Sequence, residues 1–164
     1  MAAITRDETR DRFDKIIVWT RGEQRAPHKP LLLLLTLSGI VKGLPRLTAF
    51  ADLESPMKDL LEKYGPPRKS HHPEYPFWRL QADGIWEVPN SDVLIRRRGN
   101  SDPLRSELIT KNAKGGFTND IHELFLKDAK FVREIAQAIA VAHFPPDVRA
   151  SLLSELGLVG EGLD

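Results

Sequence analysis

The chain has 164 residues, 41% of them hydrophobic and 29% charged, which suits one soluble globular domain with a real core. It contains no cysteine, so disulfides and thiolate-ligated zinc are excluded. Its formal net charge of +1 carries no information about nucleic acid, so any such signal must come from how the charges are distributed.

Thr5 and Glu8 have the spacing of a capping box, with Ile4 placed as the hydrophobic staple. Phe13, Ile16, Ile17 and Thr20 then share one helical face, and Gly22 closes the predicted helix. Next comes Arg25-Ala26-Pro27-His28-Lys29-Pro30, an elbow that leads into the leucines at 31–35. Pro30 suits a first helical turn, where its missing N–H would be unpaired anyway, and Gly43 stands where a helix stop belongs. Leu37, Ile40 and Val41 extend the apolar run nearly all round this helix, which predicts burial at the centre of the domain. Its N-terminus, flanked by Arg25, His28 and Lys29, is either a solvated basic cap or an anion site.

A short helix is predicted from Thr48 or Ala49 to Glu54. A new one, capped at Ser55-Pro56, carries Met57, Leu60, Leu61 and Tyr64 to Gly65. Residues 66–74, rich in proline and charge, read as a loop. Two β-prone runs, 75–82 and 85–88, flank Asp83-Gly84, which predicts a two-residue hairpin. Arg96 to Ser101 is a basic turn, and Asp102-Pro103 opens a helix through Leu104, Leu108 and Ile109. Lys111 to Phe117 reads as a second loop, in which Gly115-Gly116 either brings backbone close to a ligand or simply ends a helix. Thr118 or Asn119 caps a helix to about Leu126. Asp128 caps a longer one, with Phe131, Val132, Ile135, Ile139 and Val141 or Ala142 on its buried side, and Pro146 starts the last, to Leu156. The predicted class is mainly α with a small β-hairpin (α+β), a compact winged-helix-like helical domain.

Charge is unevenly spread. From Arg96 to Lys114 six basic residues face two acids, whereas from Asp120 to the end eight acids face four bases. A polarised molecule of this kind is one footprint of a nucleic-acid-binding face, although a charge run is more often a solvated surface. No Gly-x-Ser-x-Gly, His-Glu-x-x-His or phosphate-loop pattern occurs, and His71-His72 lack further metal-ligand spacing. No catalytic residue, metal or cofactor is expected. No apolar signal segment or membrane-length stretch is present, which predicts a cytoplasmic protein.

Two motifs sharpen the DNA reading. Pro27-His28-Lys29-Pro30 with its leucines, and Tyr75-Pro76-Phe77-Trp78 before Asp83-Gly84, resemble the sulfur-binding domain of modification-dependent (type IV) restriction endonucleases that recognise phosphorothioated DNA. Gly115-Gly116-Phe117 and Phe144-Pro145-Pro146 with its following leucine-rich helix extend the resemblance, which runs roughly from Arg6 to Leu158. It implies binding of double-stranded DNA in which sulfur replaces one non-bridging phosphate oxygen. It also implies a shallow sulfur cavity of Pro27, His28, Lys29, Tyr75 and Pro76, with Arg79 standing where a small residue is expected. DNA contacts are expected from Arg25, Lys29, Arg68, Lys69 and His71, from Arg98, Asn100, Ser101 and Asp102, and from Asn112, Lys114, Gly115 and Gly116. Residues 1–160 would form this domain and 161–164 a frayed end or the start of a linker. An HNH nuclease domain, if one acts with it, lies outside this chain. The competing reading is a winged-helix-like transcription regulator without sulfur specificity, supported only by the basic loops and the hairpin.

Overall fold

The chain enters its first helix, α1 (Arg6–Gly22), through the reciprocal cap that its sequence predicts. The Glu8 N–H donates to Thr5 Oγ1 at 3.0 Å, and the Thr5 N–H donates to Glu8 Oε1 at 3.1 Å. Ile4 is buried beside it. The computed structural model describes residues 4–22, 28–65, 71–89, 94 and 102–159. The expectations placed on Arg25, Pro27, Arg68, Lys69, Arg98, Asn100, Ser101 and the end beyond 160 lie outside the described residues.

Helix α2 (His28–Val41) is the centre of the domain. It packs against α3 (Phe50–Tyr64), α4 (Glu74–Arg79), α6 (Asn119–Lys127) and α7 (Ala129–His143). Neighbours on so many sides require an apolar surface nearly all round, and Leu31, Leu32, Leu33, Leu34 and Leu37 are all buried. Pro30 is the third helical residue, within the first turn, where no backbone bond is lost. Gly43, at φ 79°, follows as the stop. The Ser38 hydroxyl donates to the Leu156 carbonyl at 2.5 Å, tying α2 to the end of α8 (Pro146–Glu155). No helix among the described residues is long and apolar enough to cross a membrane.

The mainly helical α+β class stands, but three predicted segments do not. The 48–65 region is not two helices. Thr48–Ala49 is a short strand, β1, and α3 runs unbroken through Pro56. Phe50, Leu53, Met57, Leu60 and Leu61 keep one buried face across the proline, so packing outweighs the lost backbone bond. The predicted hairpin is also absent. Residues 74–79 form α4, residues 80–83 a 3-10 turn, and Gly84 ends it at φ 78°. Pro76 is the third residue of α4, where a proline costs no hydrogen bond, just as at Pro30. Only Trp86–Glu87 is extended, as β2.

The partner of β2 comes from far along the chain. Strand β3 (Lys114–Phe117) lies between β1 and β2, antiparallel to both, with Thr48 opposite Gly115 and Trp86 opposite Phe117. The segment predicted as a glycine loop is therefore the central strand. A Cβ at Gly116 would sit 2.0 Å from the Arg46 carbonyl oxygen, and one at Gly115 would sit 2.9 Å from the Phe77 ring. Both glycines serve this close approach. The turn residue that precedes them is Asn112, in the left-handed region at φ 52°, after α5 (Arg105–Thr110). Helix α5 starts at Arg105, later than the predicted Asp102-Pro103 opening.

Aromatic rings knit these elements together. Phe50 and Phe77, Phe77 and Trp86, and Trp86 and Phe117 meet edge to face, with centroids 5.2, 6.1 and 6.0 Å apart. Phe117 continues the series to Phe13 and Phe125. At the far side, Asp128 caps α7 by accepting from the Phe131 N–H at 3.0 Å, and it also pairs with Arg6 of α1 at 2.5 Å.

Gly116→Ala should destabilise the domain by about 1–3 kcal/mol, because the methyl group meets main chain rather than a flexible side chain. A denaturant melt should show the midpoint fall. An unchanged midpoint would mean that the strand shifts freely.

Candidate nucleic-acid interface

Each of the two sequence motifs falls on one of a pair of neighbouring helices, α2 and α4. The helices pack on each other, and the Lys29 ammonium reaches Asp83, at the end of the 3-10 turn after α4, at 2.8 Å. His28 and Lys29 are both half-buried there. A concavity of about 340 Å³ opens beside the pair, lined by Arg12, Lys15, Ile16, Lys29, Ala82 and Asp83. Arg12 is itself anchored, donating to the Gly84 carbonyl at 2.8 Å. Three cations thus face one carboxylate around an opening next to the first turn of a helix, which is an environment suited to an anion.

Helix α4 has two unlike sides. Pro76 and Phe77 are buried, and the Trp86 indole N–H donates to the Phe77 carbonyl at 2.9 Å, fixing the helix from beneath. Tyr75 turns outward and is 37% exposed, so it is not a core residue. His72 stacks on the Tyr75 ring, with centroids 4.6 Å apart and planes 12° apart. One turn later, the Arg79 guanidinium carbon lies 4.5 Å from the same ring centroid. Arg79 Nε donates to Asp102 Oδ2 at 2.7 Å. Residues 72, 75, 79 and 102 thus form one surface platform.

Carboxylates brace the platform from below. Glu74 is buried and its Oε2 lies 3.1 Å from His72 Nδ1. Glu54 of α3 grips Arg105 of α5 through both oxygens, one bond measuring 2.8 Å. The Arg105 guanidinium holds the Glu54 carboxyl below its ordinary range, with Lys58 helping, and burial opposes them. This clamp fixes the start of α5, three residues after Asp102.

The other expected contacts fare differently. His71 is half-buried just ahead of α4. Asn112 and Lys114 belong to the α5–β3 junction, where both are exposed. Gly115 and Gly116 are buried in β3 and face Phe77, Trp86 and the Arg46 carbonyl, so the open phosphate-binding loop expected of them is not formed. With the hairpin gone, the winged-helix reading loses its structural support. His72, Asp83, Arg12 and Lys15 were missed. The spacing 72, 75, 79 would have exposed the first of these had 74–79 been read as helix. The other three join residues distant in sequence and left no local signal.

A larger hollow of about 410 Å³ lies elsewhere, between the end of α2, the 42–49 segment, and β3. Its walls are mainly apolar, and the His122 imidazole beside it is held below its ordinary range by burial and then by Arg46. Among the described residues no group of three or more His, Asp or Glu side chains is placed to hold a metal ion.

The molecule is therefore a helix-dominated α+β domain whose distinctive polar residues gather on an exposed aromatic platform. A family model described as the ScoMcrA-like DNA sulfur-binding domain matches residues 6–161, and the chain belongs to that family. Its fold is similar to the solved sulfur binding domain of ScoMcrA complexed with phosphorothioated DNA. The TM-score is 0.71 at 26% identity, over 82% of this chain and 85% of that one. A structure of ScoMcrA, a type IV phosphorothioation-dependent restriction endonuclease, matches with a TM-score of 0.70 and 26% identity, over 80% of this chain but only 25% of that one. The sulfur binding domain of SprMcrA, at 22% identity and a TM-score of 0.67, shares the fold over 82% of each chain. No curated protein matches this chain.

The depressed Glu54 carboxyl stabilises the fold fully above its ordinary value of 4.5, and that contribution is lost as pH falls through its lower folded value. Glu54→Gln should therefore lower the melting temperature at neutral pH and make the decline from about pH 5 to pH 2 shallower. Parallel curves for parent and variant would show that the clamp does not titrate with folding.

Proposed function

We propose that this chain reads phosphorothioate-modified double-stranded DNA, as the recognition domain of a type IV restriction system. The observation that carries this is the outward ring of Tyr75 on α4, a helix that packs on α2, in a chain of the DNA sulfur-binding family. The relatives solved in complex with phosphorothioated DNA support it.

The chemistry follows from the difference between the two atoms. Sulfur is larger, softer and a poorer hydrogen-bond acceptor than oxygen. A tyrosine ring face cannot satisfy a phosphate oxygen, so placing oxygen there costs desolvation. Sulfur loses less water and gains dispersion contact. Lys29 and the first-turn N–H groups of α2 attract the charge that the modified phosphate still carries. His28 and Pro27 complete the proposed wall, and Pro76, next to Tyr75 in α4, is buried. Arg12 and Lys15, which flank the opening beside Lys29, extend the contact to neighbouring phosphates. Arg25, Arg68, Lys69, His71, Arg98, Asn100, Ser101, Asn112 and Lys114 remain the proposed outer contacts. Strand cutting is assigned to a nuclease domain outside this chain, of the HNH type.

Matched duplexes with and without one sulfur test the reading. The parent should prefer the modified duplex, and Tyr75→Ala should reduce that preference on the order of tenfold or more. Tyr75→Phe keeps the ring and should retain most of it. Circular dichroism must show each variant folded. A folded Tyr75→Ala protein with the parental preference would falsify the assignment.

Backbone contacts give a different signature. Arg12→Ala should weaken both duplexes alike and lower the slope of log affinity against log salt by about one unit. If the slope does not move, Arg12 serves only to hold Gly84.

A further inference from the structure

We propose that Arg79 sets the degree of sulfur preference by covering the Tyr75 ring until DNA draws it away; the inference rests on the reading of Tyr75 as the sulfur-contacting residue. Arg79 and Tyr75 stand one turn apart on α4. The guanidinium carbon is 4.5 Å from the ring centroid, a distance at which the planar group fills the space over the aromatic surface. His72 is stacked on the same ring at 4.6 Å. A sulfur atom and a guanidinium cannot share that space.

Asp102 is what keeps Arg79 in place. The pair is 2.7 Å long, and the Asp102 side chain is only 14% exposed while that of Arg79 is 54% exposed. The acid is thus the fixed partner and the arginine the movable one. An approaching duplex brings phosphates that repel Asp102 and compete for Arg79. Exchanging a carboxylate for a phosphate replaces one charge-assisted bond with another, so little net energy is required. The released guanidinium then holds the backbone, and the ring is uncovered.

The cost of uncovering falls on the duplex that uses the ring. Unmodified DNA places no sulfur against the ring, so a phosphate can meet the exposed side of the guanidinium while Arg79 stays over the aromatic face. Arg79 therefore strengthens binding to both duplexes while narrowing the difference between them.

Titrations with the two matched duplexes, on variants shown to be folded by melting curves, test this. Arg79→Ala should bind both duplexes more weakly, lower the salt slope by about one unit, and raise the ratio of modified to unmodified affinity by about threefold or more. Arg79→Lys keeps the charge but not the planar cover, so it should raise the ratio with the parental slope. Asp102→Asn should tighten both duplexes in the parent and by a different factor in the Arg79→Ala background, where the carboxylate has no guanidinium to hold, because the two residues act as a unit. A ratio that stays level or falls in Arg79→Ala would overturn the covering role. Equal effects of Asp102→Asn in both backgrounds would overturn the latch. A parent that shows no sulfur preference would sink the Tyr75 reading itself, a result distinct from either.

Discussion

Strand β3 can pass through this domain only because two of its residues have no side chain. Gly116 brings the strand against the Arg46 carbonyl, and Gly115 leaves room for Phe77 and Trp86. The consequences run outward in order. Phe117 can lie opposite Trp86, the indole can reach the Phe77 carbonyl, and that bond seats α4. Once seated, α4 buries Pro76 and Phe77 and must turn Tyr75 to solvent. The exposed platform is thus set by packing several residues away from it.

The sequence signals that worked are the local ones. The Thr5–Glu8 cap, the Asp128 cap, the prolines at 30 and 146, and the leucine run each act within one or two turns of a helix. The helices that carry the two motifs, α2 and α4, also pack on each other. The failure at 75–88 shows the limit. Tyr75, Phe77, Trp78 and Asp83-Gly84 favour a hairpin when considered alone. What decides the matter is that Phe77 and Leu80, three apart, both face the core, while the true partner of Trp86 is Phe117. A pairing at that separation leaves no trace in either short segment. The same holds for Lys29 with Asp83 and Arg105 with Glu54, where complementary charges meet only after folding.

Electrostatics and surface chemistry divide the labour in this domain. The cations around Lys29 and Arg12 attract a polyanion without regard to its substituents. The ring of Tyr75 offers no comparable attraction, and in the proposed reading it distinguishes one atom from another by size and hydration. Net charge near zero is compatible with this arrangement, because the potential that a polyanion meets depends on where the cations stand rather than on their number alone.

Helix α4 has six residues, well below the roughly 12–15 at which an isolated helix becomes even marginally stable in water. It owes its shape mainly to the rings beneath it, and its outer side chains make their contacts at the surface, with one another and with Asp102. The inner and outer positions are consequently free to change at different rates. Substitutions at Phe77 or Pro76 are penalised through stability, while those at 72, 75 and 79 are judged only by what they touch. A scaffold built this way can acquire a taste for a different chemical mark on DNA by altering a handful of outward side chains, with its interior left as it is.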